Sequence, residues 1–173
     1  MSGDLDDGAN AYLHYRNGNG TDLRIDYEKA YKEDSVIRSS IDELIKIAQE
    51  QAVSLNKCSG DTSYNIRSDL YGIPNGETEN WQKTIGAHYV WVSATVKVVN
   101  GTYLMDMTIH MKDKYNFNKE MSDIASKTPD DVNGHFAVLG WAKSFFTIGE
   151  LKRTVTWEGS SPSISSPQEN KSR

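Results

Sequence analysis

The sequence predicts an α+β domain: an antiparallel sheet built on a long central hairpin, with two helices packed on one face. Three observations predict it. Asn100-Gly101 separates two runs of alternating apolar residues. A one-sided apolar repeat fills 35–55. A Thr-Pro-Asp-Asp helix start at 128–131 precedes a second apolar repeat. The 173 residues suit one domain, expected over 1–158 and followed by a disordered Ser/Pro-rich tail at 159–173.

Each element follows in chain order. Residues 1–26 are rich in Gly, Asn and Asp and read as irregular chain, with a turn at 17–20. In 35–55, Ile37, Ile41, Leu44, Ile45, Ala48 and Ala52 recur every three to four residues, and Ser35 is the expected N-cap. The stretch 56–85 reads as irregular, with a short strand at Ser63–Arg67.

The hairpin is the clearest feature. A two-residue Asn-Gly loop requires φ > 0 at both central positions and fixes the register of His88–Val99 against 102–112. Val98 then faces Tyr103, Val96 faces Met105, Ala94 faces Met107, Val92 faces Ile109 and Val90 faces Met111. A slip of one residue would destroy this match, so the register supports itself. The opposite face is mixed and carries Trp91 with His110 and Ser93 with Thr108. The same rule sets His88 against Asp113 where the ladder ends. The second helix is expected from Thr128 onward, through Val132, Phe136, Leu139, Ala142 and Phe146, and to stop at Gly149. A strand at 150–157 completes the sheet.

Composition excludes several function classes. Nineteen basic and 24 acidic residues give a net charge of −5, unlike a nucleic-acid binder acting through bulk charge. Lys143, Lys152 and Arg153 form one modest basic cluster, read as solvated surface. No run of about 18 apolar residues is present, as a membrane-spanning helix would need. The single cysteine, Cys58, excludes an internal disulfide and a cysteine-based zinc site. His14, His88, His110 and His135 show no paired metal-ligand spacing, and no phosphate loop, dinucleotide fingerprint or nucleophile elbow occurs. The N-terminus lacks the basic and apolar segments of a signal peptide.

The richest polar cluster is Asp113, Tyr115, Asn116 and Asn118, near His88 and His110. A carboxylate beside an imidazole suits general acid–base work near neutral pH. The same residues also suit a loop leaving a sheet edge. Trp91, on the mixed face, is the tryptophan that could serve as a ligand platform.

Asn100-Gly101, then Asp113-Lys114-Tyr115-Asn116-Phe117-Asn118, then Leu139-Gly140 resemble the catalytic end of colicin M-like bacteriocins, the lipid II-degrading family. The resemblance spans about a third of the chain. The family carries Asp at the position of Asn116 and His-Arg at Ser122 and Asp123. A broader similarity joins the Tyr-Asn-Phe-Asn and Leu-Gly-Trp-Ala segments to C-terminal modules of polymorphic toxins and type VI secretion effectors. These resemblances imply an antibacterial toxin that hydrolyses lipid II or peptidoglycan in the target periplasm. They imply delivery by secretion machinery or within a larger polypeptide, and a cognate immunity protein. Asp113, Tyr115, His88 and His110 would then be catalytic. Asn116, Asn118, Trp91 and Asp123 would bind substrate. Asp113 would hold Mg2+ if the substrate is a phosphodiester. The competing readings are a non-catalytic binding module and, behind it, a membrane-disrupting toxin.

Overall fold

The computed structural model describes residues 5–59, 62–115, 140, 142–159 and 168–169. The order of elements is α1 (Asp6–Asn17), β1 (Leu23–Arg24), α2 (Tyr27–Glu33), α3 (Ser35–Ser59), β2 (Ser63–Arg67), β3 (Tyr71–Ile73), α4 (Glu79–Thr84), β4 (His88–Val99), β5 (Thr102–Tyr115), β6 (Phe145–Glu158) and β7 (Gln168–Glu169). The strands form one mostly antiparallel sheet in the order β1-β6-β5-β4-β2. In addition, β3 pairs with β4 and β7 with β6, and only the β1–β6 pairing is parallel.

The β4–β5 register is the predicted one, from Val99 opposite Thr102 to Tyr89 opposite Lys112. Asn100 and Gly101 take φ of 51° and 77°, as the tight turn demands. Val90, Val92, Ala94, Val96 and Val98 are buried on one face, with Tyr103, Met105, Met107, Ile109 and Met111. The apolar stripe of α3 lies in the same core, from Ile37 to Val53. Burying each such side chain contributes about 1.5–3 kcal/mol, which makes this the main source of stability.

Several expectations are corrected. The N-cap of α3 is Asp34 rather than Ser35. Its buried carboxylate accepts the backbone N–H of Val36 (3.0 Å) and Ile37 (3.1 Å). It also takes the N–H and hydroxyl of Thr78, at 2.8 and 2.9 Å, and so ties the helix to the start of α4. Gly76 makes room for it, because a Cβ there would lie 2.6 Å from Asp34 Oδ2. Residues 6–17 are helical rather than irregular. Ala11 and Tyr15 of α1 form a small second core with Ala142 and Phe145.

The helix expected up to Gly149 gives way to strand from Phe145 onward. Phe145, Thr147, Leu151 and Arg153 are buried in alternation, so a period of two overrides the helical spacing. Gly149 is mid-strand, and a Cβ on it would stand 2.9 Å from Tyr27 Cβ. Residues 128–139 lie outside the described residues. On the apolar face α3 is joined by α2, anchored through Tyr27 and Ala30, and by α4, anchored through Trp81. Arg153 is not solvated surface. Its guanidinium, 2% exposed, grips Glu28 of α2 through two hydrogen bonds of 2.7 and 3.1 Å and lies 4.7 Å from the Tyr31 ring. Gln168 and Glu169, within the segment expected to be disordered, pair with Thr154 and Arg153.

Candidate functional site

Strand alternation divides the described candidate residues between the two faces of the sheet. His88, Asp113 and Tyr115 continue the covered face, in step with Val90 and Met111. Trp91 and His110 belong to the open face. The sheet therefore stands between His110 and the Asp113 carboxyl, and no relay joins them directly. Asn116, Asn118 and Asp123 lie outside the described residues.

On the covered face, His88 is 2% exposed. Its Nε2 lies 2.7 Å from the Tyr27 hydroxyl and its Nδ1 lies 3.0 Å from the Gly86 carbonyl. Nδ1–H donates to that carbonyl, which leaves Nε2 to accept the tyrosine proton. Burial lowers the imidazole's pKa below its ordinary value, despite the Gly86 carbonyl and the Asp34 charge. The ring is thus kept neutral. Backbone pairing turns His88 toward Ile73 of β3, and the β4–β5 ladder stops one pair short of Asp113. Among the described residues no hydrogen bond or ion pair joins His88 to Asp113.

Asp113 sits where β5 extends past β4 and pairs only with Thr147 of β6. Burial raises its carboxyl above the ordinary carboxylate value, against one backbone hydrogen bond from Lys114. Two residues on, Tyr115 stacks on Phe145 with ring centres 4.9 Å apart and leans on Tyr15 at 6.0 Å. A half-buried carboxyl of raised pKa beside an aromatic wall is suited to holding and donating a proton. Among the described residues no group of three or more His, Cys, Asp or Glu is placed to hold a metal ion.

On the open face, His110 stacks against Trp91, with ring centres 5.2 Å apart and planes 17° from parallel. Its Nε2 is 2.7 Å from Ser93 Oγ, and its Nδ1 is 3.6 Å from Glu150 Oε1. Ser93 lines a shallow depression of about 450 Å³ with Asn65, Arg67, Thr95, Asp106 and Thr108. Ser93 and Glu150 were not among the sequence-predicted site residues. The hairpin register already placed Ser93 and His110 on one face, diagonally adjacent. The missing signal was the pairing of Glu150 with His110, which depends on the full length of β6.

No protein-family model matches the sequence, and no curated protein matches it. Among solved structures, the fold overlays on the truncated bacteriocin syringacin M from Pseudomonas syringae pv. tomato DC3000, with a TM-score of 0.47 and 16% identity. The overlay covers 91% of this chain and 62% of that one, so the chain spans less than two thirds of that structure's length.

Proposed function

We propose that this chain is an antibacterial toxin domain that hydrolyses a cell-envelope substrate, lipid II or peptidoglycan, in the periplasm of a target cell. The observation that carries the reading is the half-buried, raised carboxyl of Asp113 in the Asp-Lys-Tyr stretch of β5 that runs past β4 and pairs with β6 alone. A carboxyl that keeps its proton above the usual range can protonate a leaving oxygen, and Tyr115, on the same face, can orient the scissile group. The colicin M-like pattern of residues 113–118 supports the same substrate class. His88 serves here as a buried support for β4 through its bond to Tyr27, not as a proton carrier. In the phosphodiester case Mg2+ would instead need Asp113 ionised, as its one described carboxylate ligand in place of the general-acid role, completed by substrate phosphate and water. A cognate immunity protein, and delivery by secretion machinery or as part of a larger polypeptide, belong to the same reading.

The test is expression in a susceptible bacterium, directed to the cytoplasm or, by an added signal peptide, to the periplasm. Lysis is expected from the periplasm alone. Asp113→Asn, which keeps size and shape, should reduce it by a factor on the order of 10²–10⁴, the usual contribution of a general acid. Undiminished lysis by Asp113→Asn, or no lysis from the periplasm, would overturn the proposal.

A further inference from the structure

We infer that Ser93, His110 and Glu150 form a second, separate catalytic site on the open face of the sheet, with Ser93 as nucleophile toward a carboxylic ester or amide. The argument is geometric. A serine hydroxyl is a weak nucleophile unless a base takes its proton, and the base must be held in the right tautomer by a third group. Ser93 Oγ is 2.7 Å from His110 Nε2, within reach for proton transfer. Glu150 faces the other ring nitrogen at 3.6 Å, which favours the tautomer with the proton on Nδ1 and leaves Nε2 free to act as base. Three adjacent strands supply the three residues, so their spacing is set by two ladders rather than by loops. Trp91 fixes the plane of the imidazole by stacking on it.

The surroundings supply the rest of an acyl-transfer site. Arg67 of β2 is the direct cross-strand partner of Ser93 and lines the same depression. Among the described residues it has no hydrogen-bond or ion-pair partner. Its guanidinium is therefore the donor available to a negative charge developing beside Ser93. Asn65, Thr95 and Thr108 give the depression a polar floor, which suits a peptide-like or other polar acyl group over a long hydrocarbon chain. In the reaction, Ser93 Oγ bonds to the carbonyl carbon while its proton passes to His110 Nε2. The carbonyl π electrons move to oxygen, in the depression that Arg67 also lines. Collapse of this intermediate breaks the bond to the leaving alcohol or amine, which takes the proton from His110. Water, deprotonated by His110, then attacks the acyl-serine, and the acid and Ser93 are released. His110 and Ser93 touch the reacting atoms. Glu150 acts through His110 as a positioning residue.

The test uses the purified full chain with a fluorophosphonate probe and with p-nitrophenyl acetate. One adduct is expected, located at Ser93 by peptide mapping and absent in Ser93→Ala. His110→Gln should slow labelling by about 10²-fold or more, the scale of a lost general base. Glu150→Gln should slow it less, and Glu150→Asp, which restores a carboxylate facing His110 Nδ1, should recover part of the loss. A merely structural Glu150 would leave the labelling rate of a folded Glu150→Gln unchanged. These variants lie on the open face, and circular dichroism should show them folded. Labelling of Ser93 no faster than that of other exposed serines, or equal rates in wild type and His110→Gln, would overturn the inference. The readout needs no bacterial killing, so it stands or falls apart from the Asp113 reading.

Discussion

The two faces of the central sheet hold their histidines in opposite circumstances. On the covered face, His88 has both ring nitrogens occupied, by Tyr27 and Gly86, and is shut away from water. On the open face, His110 also has both nitrogens engaged, but by Ser93 and Glu150, and a quarter of its side-chain surface reaches solvent. The covered histidine is held by buried groups, whereas the open one is held by partly exposed groups. The first arrangement satisfies a buried polar group, and the second keeps an organised polar group within reach of solvent.

The largest expected effect lies under the covered face. Asp34→Ala strips four hydrogen bonds from an ionised, buried carboxylate and leaves the donors of Val36, Ile37 and Thr78 without it. A loss of about 4 kcal/mol in urea unfolding is expected, on the scale of several charged hydrogen bonds together with a helix cap. A loss below about 1 kcal/mol would mean that water replaces the carboxylate, and the contrast between the faces would weaken.

The next effect is a pH dependence. The folded-state pKa of His88 lies below its ordinary 6.5, so its contribution is intact above that pH and is lost as pH falls. Asp113 has the opposite sign. Its raised pKa gives stability that is full below the ordinary carboxylate value of 3.8 and declines as pH rises through the folded value. Asp34 is held below the ordinary range. Burial alone would raise it, but its hydrogen bonds from Thr78, Ile37 and Val36 outweigh that, so its loss begins only below 3.8. On acidification from pH 7 to 5 the two groups act with opposite sign, so a fall in stability over that interval points to His88 and not to Asp113. His88→Gln should flatten the fall in urea midpoint over that interval. An equally steep fall in the variant would assign the titration elsewhere.

The smallest effect is expected on the open face. His110→Gln and Glu150→Gln should each change stability by no more than about 0.5 kcal/mol, as surface substitutions usually do. A loss above about 1.5 kcal/mol in either would make this triad a structural support like its covered counterpart.

The hairpin, its register and the apolar seat of α3 were legible because they rest on local rules. An Asn-Gly turn sets one register, and alternation then sorts every side chain to a face. Even the opposite-face placement of His110 and Val90 followed from it. What was not legible depended on distant partners. Tyr27 became a core residue because Gly149, remote in sequence, leaves it space. Arg153 was read as surface because its partner Glu28 lies 125 positions away. Phe145 and Phe146 fit a helical stripe as well as a strand, and only the β5 edge decided between them. The candidate site was half legible. Asp113, Tyr115, Trp91 and His110 were named, but Ser93 and Glu150 require knowing that three strands lie side by side.

The position of β6 also fixes a sequence of events. It lies between β5 and the N-terminal β1, pairs with both, and carries the arginine that holds α2. A chain emerging from the ribosome or from a translocation pore with its N-terminus first can make the hairpin early. It cannot pair β1, or lock α2 through Arg153, until residue 145 and beyond have emerged, although Tyr27 of α2 can already reach His88 of β4. Closure is a late, long-range event, and a topology so dependent on distant pairing belongs to the slower-folding class, with times of milliseconds to seconds. Until β6 arrives, the β5 edge stays open to other strands, and this is the interval in which the nascent chain is most exposed to misassociation.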